Sequence, residues 1–83
     1  PAMAEIKKGL VVVKQSTLDL HEAFTNKLDE GQKENLNKVL DAYSDRIIKV
    51  IMSNLRKAST REEMISITKT LKDSFTIEPH EDE

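Results

Sequence analysis

The sequence predicts an all-α fold: an antiparallel helical hairpin with a shorter third helix, forming a three-helix bundle, followed by a disordered acidic tail. Three observations predict it. Ile6, Leu10, Val13, Thr17, Leu20, Phe24 and Leu28 recur every three or four residues, and so do Leu36, Leu40, Tyr43, Ile47, Val50 or Ile51, Leu55 and Ala58. That spacing lays each set along one face of a helix. Between the two stripes stands Gly31, where the chain is expected to reverse. A third and narrower stripe, Met64, Ile67, Leu71 and Phe75, follows a segment rich in capping residues.

The first helix is expected from about Met3 to Leu28, with Pro1-Ala2 read as a cloning remnant ahead of a natural start at Met3. Its weak point is Gly9-Leu10-Val11-Val12-Val13. Glycine inside a helix costs about 1 kcal/mol relative to alanine, and three β-branched residues in a row favour a strand. A strand needs a partner, however, and the other candidate segment is Phe75-Thr76-Ile77 alone. The seven-residue rhythm also passes through Val13 unbroken, so the continuous helix is preferred.

Asp29-Glu30-Gly31-Gln32 should form the turn, with Gly31 in a left-handed cap position. The second helix is expected from about Gln32 to Lys57, its basic residues gathered where they oppose the helix dipole. Ser59-Thr60-Arg61-Glu62-Glu63 holds two overlapping capping boxes, Ser59 with Glu62 and Thr60 with Glu63. The third helix should end near Ser74. Residues 1–75 then form one helical domain, and 76–83, with Pro79 and four acids, form the tail. Ile48, Met52 and Leu55 on helix two, with Val11 and Leu18 on helix one, are expected to flank the groove that receives helix three.

Composition narrows the function classes. At 83 residues the chain is near the size where one core only just outweighs chain entropy. It has no cysteine, so disulfides and thiolate metal sites are ruled out. No apolar run approaches the roughly 20 residues of a membrane span, and a cytoplasmic protein without membrane association is expected. Net charge is only −2, but it is uneven: residues 45–61 hold Arg46, Lys49, Arg56, Lys57 and Arg61 against Asp45 alone, while residues 62–83 hold two lysines against seven acids.

Catalytic chemistry finds little support. His21-Glu22 opens like a zincin motif, but Thr25 stands where the second histidine belongs, and the other histidine is His80 in the tail. No nucleophile, base and orienting group come together, and no glycine-rich loop could cradle phosphate. The expectation is therefore no enzyme, no metal and no cofactor.

Binding is better supported. The longer helices leave Leu20, Phe24, Leu28, Leu36, Val39, Leu40 and Tyr43 at the turn end, beyond the reach of helix three. Two helices cannot enclose that many large side chains, and such a surplus marks an interface. Tyr43 is read first as a core ring with its hydroxyl at the bundle edge, and alternatively as an interface anchor. Arg46, Lys49, Arg56 and Lys57, extended by Arg61, form a basic stripe suited to phosphates or a partner. The acidic pI of about 5.7 and the lack of interleaved aromatic residues weigh against nucleic acid. The expectation is a small coiled-coil-like accessory, regulatory or inhibitory protein. It forms a homodimer or higher oligomer and binds another protein; a nucleic-acid-binding regulator is the alternative.

Overall fold

The computed structural model describes residues 2–76, and these form four helices with no strand among them. α1 spans Ala2–Leu20, α2 Glu22–Thr25, α3 Glu30–Ala58 and α4 Arg61–Thr76. The expected acidic tail falls on residues 77–83, outside the described residues. Thr76, assigned to that tail in the sequence reading, is the last residue of α4.

The valine run is helical. Val13 anchors the local backbone: its carbonyl accepts from the Ser16 hydroxyl at 3.0 Å and the Thr17 hydroxyl at 2.7 Å. Val11 and Val12 point to solvent, where a helix tolerates them but an unpaired strand would not hold. Gly9 is buried. A side chain there would collide with Phe75 of α4, so the residue that weakens α1 is also what lets α4 approach it.

Helix one is shorter than its stripe suggests. It stops at Leu20, and His21 sits at φ −112°, ψ 28° before the single turn of α2. From there the chain tightens. His21 N–H donates to the Leu18 carbonyl, Phe24 to His21, Lys27 to Phe24 and Leu28 to Thr25, each three residues back at 3.0–3.1 Å. This narrower winding takes Phe24 and Leu28 off the line of the α1 stripe. The continuous helix from Met3 to Leu28 is thus replaced by two helices and a 3₁₀-like descent.

The reversal is made by a cap and not by glycine. Asp29 Oδ1 accepts from Gln32 N–H at 2.8 Å, and Gln32 Oε1 accepts from Asp29 N–H at 3.0 Å, a complete capping box. Gly31 lies inside the first turn of α3, and no glycine has positive φ, which corrects its expected left-handed role. At the other end Ser59 closes α3 by donating its N–H to the Leu55 carbonyl at 3.0 Å. Of the two overlapping boxes, the Thr60–Glu63 one caps α4: Thr60 N–H donates to Glu63 Oε1 at 2.8 Å, and Glu63 N–H to Thr60 Oγ1 at 3.2 Å.

The molecule measures 48 × 26 × 20 Å. α3 alone accounts for about 43 Å of that at 1.5 Å per residue, and α4 for about 24 Å. The core sits at the end where α4 lies. Ile6, Ile48 and Met52 are buried there, with Met3, Leu10, Leu55, Met64, Leu71 and Phe75 packed around them. Ile48, Met52 and Leu55 do face this core, as the spacing implies. Val11 does not; it is 62% exposed, and α4 meets α1 instead along the side marked by Ile6 and Gly9.

Candidate interaction surfaces

Toward the turn end the two long helices meet through polar groups. Lys14 Nζ donates to Asp41 Oδ1 at 2.9 Å across the α1–α3 gap. Two shallow clefts lie along the same junction. One is lined by Lys7, Lys14, Asp41, Ser44 and Asp45 with Leu10 and Ile48. The other is lined by Gln15, Asp19, Glu22, Lys33 and Asn37 around Leu18 and Leu36. Because α3 turns these residues toward α1, exposed Val39, Tyr43 and Val50 face elsewhere, and half-buried Leu36 stands at the edge between the two sides.

The expected interface residues accordingly split. Leu20, Phe24, Val39 and Tyr43 are exposed, with Val39 and Tyr43 at 65% each, while Leu28, Leu36 and Leu40 are half-buried. Tyr43 is therefore not a core ring. The sequence reading placed no interface residue beyond Tyr43, yet the same face of α3 continues through half-buried Ile47 to exposed Val50. The signal was present in the seven-residue spacing of Leu36, Tyr43 and Val50. Ile47 also reaches the small apolar cleft it shares with Leu71 and Phe75, so the stripe runs up to the edge of the α4 packing.

The basic stripe is displaced around α3 from this apolar face. At 100° per residue, Arg46, Lys49, Arg56 and Lys57 occupy an arc of about 100°. All four are exposed, as is Arg61 at the start of α4, and none pairs with a carboxylate among the described residues. Five of the eight lysines elsewhere pair with carboxylates, for example Lys38 with Glu34 at 3.2 Å and Lys69 with Asp73 at 3.0 Å. Positive charge is thus concentrated where α3 ends.

His21 is exposed and makes no side-chain capping bond. Among the described residues no three metal-ligating side chains come together, and His80 lies outside them. No described helix is long and apolar enough to cross a membrane. No family model, curated protein or solved structure matches the chain.

Proposed function

We propose that this chain is a non-enzymatic interaction protein: a three-helix bundle that self-associates through its outward apolar face and acts by binding another protein. One observation carries the reading. α3 buries Ile48 and Met52 on one side and leaves Val39 and Tyr43 65% exposed on another. Large apolar side chains in a contiguous exposed row are unusual on a monomer and common at interfaces, where tyrosine is enriched. The test is light scattering after size exclusion at micromolar concentration. At least twice the 9.4 kDa chain mass is expected, and a clean monomer that also melts cooperatively overturns self-association.

A second reading rests on the basic stripe, which is unpaired among the described residues. Arg46, Lys49, Arg56, Lys57 and Arg61 could contact nucleic-acid phosphates, in which case affinity falls steeply between about 50 and 200 mM salt. The protein-binding reading expects no retention of a random duplex or single strand at physiological salt. It also expects Lys49→Glu with Arg56→Glu to leave partner capture unchanged. Salt-sensitive duplex binding abolished by that double variant would put the nucleic-acid reading first.

A further inference from the structure

α3 carries apolar residues on two separate faces. Ile48, Met52 and Leu55 enter the core, where α1 and α4 meet them. Leu36, Val39, Tyr43, Ile47 and Val50 fall within an arc of about 80° centred roughly 150° away, at 100° per residue. The second face reads the same from either end. Leu36 and Val50 each stand seven residues from Tyr43, and Val39 and Ile47 each stand four. Gln32 and Asn54, each eleven residues from Tyr43, close the row with amides.

We infer that this face pairs with the same face of a second copy, antiparallel, about a two-fold axis beside Tyr43. The inference rests on the self-association proposed above and adds its seam and its direction. With Tyr43 on the axis, Val39 meets Ile47 of the other copy and Leu36 meets Val50, so apolar residues face apolar residues along the row. Such a surface is complementary to itself, as an isologous contact requires.

Charge selects the direction. Residues 19–45 carry seven acids against three bases, whereas residues 46–61 carry five bases and no acid. A parallel pair would set the two basic ends side by side. The antiparallel pair sets each basic end beside the acidic turn end of the other copy, with Lys57 level with Asp29 and Arg56 level with Glu30. Like charges are then separated by the length of the seam, and the Arg46–Arg61 stripe, which pairs with no carboxylate among the described residues, lies level with acids of the other copy.

The absence of cysteine makes the test direct. Helices packed with axes 8–10 Å apart bring facing Cα atoms to about 5 Å, within disulfide range. Tyr43→Cys should therefore oxidise to a linked homodimer. In a mixture, Leu36→Cys should link to Val50→Cys at least ten-fold more than to itself, because two Leu36 positions lie about 21 Å apart along an antiparallel seam. Leu36 is half-buried, so spin labels at the exposed Val39 and Val50 supply a second measurement. Antiparallel pairing offsets the two Val39 labels by about 12 Å and the two Val50 labels by about 21 Å along the helix, while parallel pairing gives one short distance for both. Efficient Leu36–Leu36 linkage overturns the direction and leaves self-association standing. A dimer with none of these links overturns the seam. A monomer at 100 µM overturns self-association and this inference together.

Discussion

The ring of Phe75 lies against the backbone of Gly9 so closely that a methyl group on Gly9 would overlap the Phe75 Cβ, Cγ and Cδ1. Helix propensity alone would make Gly9→Ala stabilising by about 1 kcal/mol. Because the obstruction includes Cβ, close to the α4 backbone, the whole helix must move, and overpacking of this kind costs about 1–3 kcal/mol. Gly9→Ala should therefore lower the melting temperature. Gly31→Ala should do the reverse, by a few tenths to about 1 kcal/mol, because its backbone is helical and the nearest atom, Asp29 Oδ1, is 3.4 Å from the added carbon. A gain at Gly9 or a loss at Gly31 would show that these turns of α1 and α3 are packed differently.

Truncation should hurt at one end only. Met52→Ala empties part of a core with just three buried hydrophobic residues among those described and should cost about 2–5 kcal/mol. Small domains hold about 5–15 kcal/mol in total, so this variant is expected to be largely unfolded by moderate urea. Val11→Ser, at a site 62% exposed, should stay within about 0.5 kcal/mol. Urea titrations followed by circular dichroism check both, and a costly Val11→Ser would mean that Val11 is covered in solution.

The cap of α4 predicts a pH effect. The bond from Thr60 N–H, and secondarily from its hydroxyl, holds the Glu63 carboxyl below its ordinary value. A carboxylate whose folded pKa is depressed stabilises the protein above its unfolded pKa, and that contribution disappears as pH falls through the folded pKa. Wild type should therefore exceed Glu63→Gln at neutral pH, and the gap should close on acidification below about pH 4. Thr60→Ala should cost about 0.5–2 kcal/mol by removing the cap oxygen. A gap between wild type and Glu63→Gln that persists unchanged at pH 3 would rule out the charged cap.

The Lys14–Asp41 bridge should contribute little through its charge. Asp41 is 62% exposed, and exposed pairs measure about 0.2–1 kcal/mol in double-mutant cycles. Lys14 is different, with only 19% of its side chain exposed, so its stem packs at the helix junction. Lys14→Ala should therefore destabilise more than Asp41→Ala, and Lys14→Met should recover most of the loss. Equal effects of the two alanine variants would assign the whole interaction to charge.

Much of this architecture was legible in the sequence. The helical stripes foretold an all-α chain, Thr60 and Glu63 foretold where α4 begins, and Ile48, Met52 and Leu55 were placed correctly toward it. The end of α1 was not legible, because His21 follows no glycine or proline and the stripe continues through Phe24. The break lies in the backbone angles of His21 and in three-residue hydrogen bonds mixed with the four-residue bonds of α2, which apolar periodicity does not encode. Gly31 misled because glycine in a turn suggests reversal, while Asp29 and Gln32 supplied a cap that needs none. The exposure of Tyr43 was hidden for a related reason. A single stripe was assumed to face the hairpin partner, whereas the polar residues Asp41, Ser44 and Asn37 meet α1 and rotate Tyr43 away.

The placement of the buried residues at one end also shapes how the molecule opens. Around Ile6, Ile48 and Met52 three helices brace one another, and amide exchange there should require global unfolding. From Leu20 to Leu40 the backbone is held chiefly by its own helical bonds and by Asp29, so this half can fray while the other stays folded. In the dissociated chain, exchange rates should therefore rise steeply along α3 from Met52 toward Glu30, and pairing through Leu36–Val50 should flatten that rise. A ligand seated on the turn end would slow exchange there first, giving a residue-by-residue map of where it docks.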